Sequence, residues 1–269
     1  MAEILTLWSV APGNSVQIPT LTYYKSECKS CDSAALIFPG GAYNHFAEHE
    51  GKSYALFLNS LGMDAFVLEY RIDPAKFPLA LIDARRAMRY IRYNAERFEI
   101  DPHKIVVMGS SAGGNLASLL CTCDMPFDDV PYESDEIDSL DCYPNAQILC
   151  YPYVCMNDPD HSIEWLHDIM FGKDVRPYAM SELDPISHVN DKTPPAFFTH
   201  NADDTCVDFN NSFKYASALK NHGISTELHI FPFGNHGIAL ANEEGRINPH
   251  VAQWGKLLEN WLRLLKFIK

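Results

Sequence analysis

Lys104-Ile105-Val106-Val107-Met108-Gly109-Ser110-Ser111-Ala112-Gly113-Gly114-Asn115-Leu116-Ala117 is the stretch that decides the fold. Ile105 to Met108 are apolar and largely β-branched, the pattern of a short strand buried on both faces. From Asn115 to Leu120 the sequence reads as the start of a helix. Between them lies Gly109-x-Ser111-x-Gly113. Strand–turn–helix is the setting in which that pentapeptide becomes an elbow presenting its central serine, rather than a plain glycine-rich turn. So sharp a turn accepts only small neighbours, and Gly109, Gly113 and Gly114 supply them. Ser111, not Ser110, occupies the centre.

Outward from this stretch, strands and helices alternate from residue 34 onward. Ala34–Phe38 is an apolar strand that runs into Pro39-Gly40-Gly41. The segment after Gly51 is helical until Gly62, and Ala65–Leu68 is the next strand. Ala80–Phe98 carries Leu81, Ala84, Met88, Ile91 and Ala95 at helical spacing. Further strands are predicted at Ile148–Val154, Pro195–Thr199 and Thr226–Phe233, with helices at Ser162–Phe171 and Asn210–Leu219. The last helix, His250 to Ile268, sets Val251, Trp254, Leu258, Trp261, Leu265 and Ile268 on one face, a stripe meant for the core. Such alternation predicts an α/β fold, a mostly parallel sheet with helices on both faces. Ligands of such sheets sit beyond the carboxyl ends of the strands.

The 269 residues suit a single α/β domain, 1–269, with no linker or internal repeat in view. The N-terminal residues lack the basic start and apolar core of a secretory signal, and no run approaches the ~18 apolar residues of a membrane span. A cytoplasmic location and no membrane partner are the expectation. Lys+Arg 21 against Asp+Glu 35 gives a net charge of −14, which argues against nucleic acid. Eight of the acids fall between Asp124 and Asp141, a stretch free of Lys and Arg that reads as a solvated loop. The eight cysteines read as reduced thiols. Cys28-x-x-Cys31 has no second pair at metal-site spacing, so no metal is expected there.

A serine at its free pKa is a weak nucleophile; it needs a base, and the base needs an orienting acid. Elbow-type sites order these as serine, acid, histidine along the chain. Phe197 to Val207 is a strand ending in Asp203 and Asp204, and Phe231-Pro232-Phe233-Gly234-Asn235-His236-Gly237 is a strand ending in a histidine between small residues. Of the 11 histidines, His236 alone combines that setting with a position after the acid. An oxyanion needs backbone donors. Ala112, which follows the serine, is one, and Gly41 or Ala42 in the Pro-Gly-Gly turn is the other. Tyr43 and His45 follow that turn and are the expected contacts for polar substrate groups.

Together these segments resemble the α/β-hydrolase superfamily, and within it the bacterial carbohydrate-esterase or acetylxylan-esterase branch. The resemblance runs over most of the chain. It includes Phe38-Pro39-Gly40-Gly41-Ala42-Tyr43, Glu50-Gly51, Glu69-Tyr70-Arg71, Met108 to Ala117, Tyr151-Pro152, Ala202-Asp203-Asp204-Thr205-Cys206-Val207 and Asn235-His236-Gly237. Pro39 stands where the related lipase pattern has histidine, and Asp208 stands where proline is usual. By resemblance the acid is Asp204, three residues before Val207. The resemblance implies a serine carboxylesterase acting on a small-molecule ester, acetyl esters of sugars foremost, with no cofactor. A serine peptidase or amidase, or a non-catalytic binding protein of the same fold, are the alternatives. The sequence carries no signal for or against a homodimer.

Overall fold

The structure is a computed structural model, and it describes residues 2–14, 17–126, 130, 134–173 and 182–269. Its frame is an eight-stranded sheet. The strands are β1 (Ala2–Thr6), β2 (Thr20–Tyr24), β3 (Ala34–Phe38), β4 (Asp64–Glu69), β5 (Ile105–Ser110), β6 (Ala146–Cys150), β7 (Ala196–Asn201) and β8 (Thr226–Phe231). Their order across the sheet is β1-β2-β4-β3-β5-β6-β7-β8. From β4 to β8 all pairings are parallel, and β1 and β2 add an antiparallel edge. Neither strand is among the elements predicted from the sequence, which begin at residue 34. Their signal is Thr20-Leu21-Thr22-Tyr23-Tyr24, in which Leu21 and Tyr23 are buried and their neighbours are not.

The helices are α1 (Lys52–Ser60), α2 (Leu79–Tyr93), α3 (Ala95–Phe98), α4 (Ser111–Thr122), α5 (Glu164–Phe171), α6 (Asn210–Asn221) and α7 (Trp254–Leu264). The parallel strands β3, β5, β6 and β7 are buried along their whole length. Alternate side chains of these strands feed two cores. Leu36, Phe38 and Val107 meet Leu81, Met88 and Ile91 of α2 and Leu116 and Leu120 of α4 on one face. Ala35, Ile37, Val106 and Met108 meet Tyr54 and Leu58 of α1 and Trp254, Leu258 and Trp261 of α7 on the other.

Among the boundaries that differ from the sequence expectation, three have a local reason. The helix expected over Ala80–Phe98 breaks at Asn94, which leaves the helical conformation (φ −98°, ψ 20°) and whose side-chain amide joins its own backbone N–H on the Tyr90 carbonyl, at 2.9 and 3.1 Å. The strand expected over Ile148–Val154 stops at Cys150, because Tyr151 turns the chain with φ 38°. The last helix begins at Trp254 after a short turn at Val251–Gln253, and it ends before Lys266, which has φ 63°.

The acidic segment is more than a solvated loop in its described part; Asp128, Asp129 and Glu133 lie outside the described residues. Asp135 and Asp138 pair with Arg86 at 2.6 and 3.2 Å, and Asp141 pairs with Arg92 at 3.1 Å. These acids offset an arginine row on α2. Among the described residues all eight cysteines are free thiols, and Cys28 and Cys31 donate to the carbonyls of Asn59 and Gly62 at 3.1 and 3.2 Å. No helix among the described residues is long and apolar enough to cross a membrane.

Arg71, just past β4, is 3% exposed and pairs with fully buried Asp83 of α2. Its Nη2 donates to Oδ1 at 2.6 Å, its Nε to Oδ2 at 2.9 Å, and its second terminal nitrogen donates to the Pro12 carbonyl. One guanidinium thus ties the N-terminal segment, the end of β4 and α2. Asp83→Asn leaves that cation buried and uncompensated, so urea unfolding should lose about 3–5 kcal/mol of stability. A loss under about 1 kcal/mol would show that the tie contributes little.

Candidate active site

Five adjacent parallel strands, β3, β5, β6, β7 and β8, end on the same side, and the residue or loop after each contributes to one cluster. Ser111 follows β5 with φ 52°, a left-handed conformation that costs a non-glycine residue energy and persists only under constraint. The constraint is close packing. A Cβ at Gly113 would lie 2.0 Å from the Phe38 carbonyl oxygen, and one at Gly109 would lie 2.1 Å from the Gly113 carbonyl oxygen. Only glycine lets α4 press that tightly on β3. Ser110 points the other way; its hydroxyl is buried and lies 3.0 Å from the Tyr54 hydroxyl.

The loop after β8 carries His236 over the elbow. Its Nε2 is 2.9 Å from Ser111 Oγ, and its Nδ1 is 2.7 Å from Asp204 Oδ2. Asp204 follows β7, and its side chain is fully buried, whereas the His236 side chain is 19% exposed. Burial alone would raise the Asp204 pKa, but hydrogen bonds from His200 and His236 outweigh it and hold the carboxyl well below the usual range. The Asp204 Oδ1 also accepts the backbone N–H groups of Cys206 and Val207, both at 2.9 Å. His200 backs the acid: its Nε2 lies 3.3 Å from Asp204 Oδ2 and donates to the Val207 carbonyl at 2.9 Å.

Asp203 is exposed and faces elsewhere. Its Oδ1 accepts the N–H groups of Gly234 and Asn235 at 2.9 and 2.8 Å, which folds the loop that carries His236. The two neighbouring aspartates therefore divide the work, one touching the imidazole and the other shaping its loop.

The turn after β3 brings Gly41 (φ 124°), Ala42 (φ 52°) and Tyr43 (φ 57°) beside the elbow. The Gly40 N–H is spent on Glu50 Oε2 at 2.8 Å, so the next amides, Gly41 and Ala42, are the ones left to point at a ligand. Ala112 sits in the first turn of α4, where N–H groups have no acceptor within the helix. The expectation for Tyr43 is corrected. Its ring is 4% exposed against Tyr70, and its hydroxyl donates to Asn115 Oδ1 at 2.8 Å, so it fastens the turn to α4 instead of meeting substrate. His45 is exposed on the rim.

Residues of the segments that carry the resemblance also lie behind the site. Tyr151, left-handed after β6, lays its ring against His236 with centroids 5.0 Å apart. Its hydroxyl donates to Glu50 Oε1 at 2.7 Å and accepts the Ala239 N–H at 3.0 Å. Tyr70 donates to the Pro39 carbonyl at 2.7 Å. Among the described residues no cluster of His, Cys, Asp and Glu could hold a metal ion.

The chain has relatives among known proteins. The BD-FAE family profile matches residues 23–219. Endo-1,4-beta-xylanase B of Butyrivibrio fibrisolvens is 34% identical over 84% of this chain and 36% of its own length. An acetylxylan esterase of Xylanibacter ruminicola is 31% identical over 84% of this chain and 44% of its own length. The chain thus spans less than half of either curated relative. The crystal structure of an acetyl ester-xyloside bifunctional hydrolase from Caldicellulosiruptor lactoaceticus superposes with a TM-score of 0.87 at 36% identity, covering 99% of this chain and 97% of that one. The protein therefore belongs to the BD-FAE family and has the α/β-hydrolase fold.

Proposed function

We propose that the protein is a serine carboxylesterase, with Ser111 as nucleophile, His236 as base and Asp204 as orienting acid. The observation that carries this reading is the His236 imidazole bridging Ser111 Oγ and Asp204 Oδ2 at 2.9 and 2.7 Å. Ser111 Oγ attacks the ester carbonyl as its proton passes to Nε2, while Asp204 holds Nδ1–H and stabilises the imidazolium. The oxyanion is met by the Ala112 N–H and by Gly41 or Ala42. The imidazolium then returns the proton to the departing alcohol. Water repeats the sequence on the acyl-enzyme, with His236 again as base.

For substrate we favour a short acyl group, acetyl foremost, on a neutral sugar. Support comes from the acetyl and xylan esters in the names of the relatives above. A net charge of −14 further disfavours anionic esters, although salt screens exposed charge beyond about 8 Å.

Ser111→Ala should lose activity by a factor on the order of 10⁶, while Ser110→Ala should keep much of it. A fluorophosphonate probe should label the wild type and not Ser111→Ala; an unlabelled wild type would favour a binding protein. Asp204→Asn should cut kcat by about 10⁴, and Asp203→Asn by far less. The reverse ranking in folded proteins would move the acid to Asp203.

Because Asp204 is held ionised below the ordinary carboxylate range, it does not titrate where the enzyme works. The acid limb of kcat/KM should therefore report the base and not Asp204, with the rate falling as pH drops. A flat profile down to about pH 5 on folded protein would remove histidine as the base.

In a series of p-nitrophenyl esters, kcat/KM should peak between acetyl and butyryl and fall by octanoyl. An apolar acyl groove would instead add up to ~0.8 kcal/mol per buried CH₂. A maximum at eight carbons or beyond would indicate a lipase.

A further inference from the structure

Glu50 is 2% exposed, yet it carries no role in the chemistry above. It closes a short turn, Glu48–Glu50, between the oxyanion loop and α1. Burying a carboxylate is costly unless its oxygens are satisfied, and both are. Oε2 accepts the Gly40 N–H at 2.8 Å, and Oε1 accepts the Tyr151 hydroxyl at 2.7 Å. Among the described residues the only cationic candidate within ion-pairing distance is His49, at 3.8 Å. His49 itself donates Nε2–H to the Gly237 carbonyl at 3.0 Å, on the residue after the proposed base. Glu50 is thus an anion held mainly by neutral donors.

Those donors lead to the reacting groups from two sides. Gly40 precedes the two amides proposed to hold the oxyanion. The Tyr151 ring lies 5.0 Å, centroid to centroid, from the His236 ring, and its hydroxyl pins the Ala239 N–H three residues beyond His236. A third strand of the network runs through Tyr54, whose hydroxyl lies 3.3 Å from that of Tyr151 and 3.0 Å from Ser110 Oγ. One carboxylate therefore joins the oxyanion turn, the histidine loop and the elbow.

We infer that Glu50 is a positioning residue for ester hydrolysis: it fixes the oxyanion turn against the His236 loop, and its buried charge favours the imidazolium formed during the reaction. The inference rests on the Ser111–His236–Asp204 assignment. The remaining titratable groups facing Glu50 are Tyr54 from α1, Tyr70 after β4, and Cys150 and Tyr151 at the end of β6. Burial raises all of them, the Cys150 thiol to about 12 and the three phenols well above the ordinary tyrosine value, so they stay neutral at working pH. Facing His236 are Ser111, Asp204 and Tyr151, with His200 behind the aspartate. Neutralising Glu50 thus removes one charge and leaves the others in place.

Glu50→Gln preserves shape; the amide oxygen can accept the Gly40 N–H while its NH₂ donates to Tyr151. With p-nitrophenyl acetate, kcat should fall about tenfold or more, because small displacements of oxyanion donors are costly, and KM should stay within about twofold. With Asp204 still in place but one anion fewer behind it, the imidazolium releases its proton more readily, so the acid limb of kcat/KM should move to lower pH by roughly half a unit to one unit. Tyr151→Phe removes the hydroxyl but keeps the charge. It should lower kcat with KM held, and its acid limb should not move.

Unchanged kcat in Glu50→Gln, or an acid limb that stays put, overturns the inference. So does a limb that shifts equally in Tyr151→Phe. Should Glu50→Gln fail to fold, Tyr151→Phe decides: a tenfold lower kcat at constant KM supports the link, and wild-type kcat overturns it. Ser111→Ala separates the two levels. If it is inactive while Glu50→Gln turns over normally, only the Glu50 assignment fails; if it remains active, the triad fails with it.

Discussion

Backbone pressed against backbone at the end of β5 is the constraint on which the rest depends. The α4 helix can start directly above Ser110 only if the Gly113 main chain lies against the Phe38 carbonyl, where a Cβ would stand 2.0 Å away. That approach leaves the chain no way to pass from strand to helix except through a left-handed residue, and Ser111 takes the strain. Several things follow at once. The hydroxyl is lifted out of the sheet, the Ala112 amide is left at the open end of a helix, and the β3 turn is brought beside both. None of these groups has to be recruited from a distance.

Around that pivot, charge is managed by hydrogen bonds more than by ion pairs. Asp204 is buried and held ionised by the imidazoles of His200 and His236 and the amides of Cys206 and Val207. Glu50 is buried behind the histidine on an amide and a phenol. In a medium of low dielectric such fixed dipoles act strongly, and because they are already oriented they need not reorganise as charge moves. The guanidinium–carboxylate pair of Arg71 and Asp83 lies away from the triad, between secondary-structure elements, where it acts as a fastener.

Much of this was legible in the sequence where chemistry and local geometry coincide. The elbow glycines, the apolar Ala34–Phe38 strand and the His236-Gly237 strand end each have one physical explanation, and the structure brings Ser111, Asp204 and His236 within hydrogen-bonding reach of one another. Aspartates 203 and 204 could not be told apart by spacing alone, since which one meets the imidazole depends on how the chain leaves β7. The antiparallel edge was missed because Thr20–Tyr24 alternates polar and apolar residues and does not stand out beside wholly apolar strands of the same length. Tyr43 was misjudged for a different reason. A tyrosine next to a turn offers a hydroxyl, but nothing in the sequence says that Asn115, seventy-two residues away, accepts it. Glu50 was hidden likewise, because an acid flanked by His49 and Gly51 looks exposed until its partners Gly40 and Tyr151 are in view.

The sheet order carries one more consequence. Strands β5 and β8 stand three places apart, so their axes are separated by about 14 Å at the usual strand spacing. His236 nevertheless reaches Ser111, and it does so five residues after the end of β8. Five residues fully extended cover at most about 17 Å. The His236 side chain bridges much of that gap, and the segment from Pro232 to Asn235 bends over the rest, folded by the Gly234 and Asn235 N–H groups that Asp203 accepts. Because Asp203 folds this loop and Asp204 orients the imidazole it carries, the reach of the histidine is set from the end of β7, and a change there would move the base relative to Ser111.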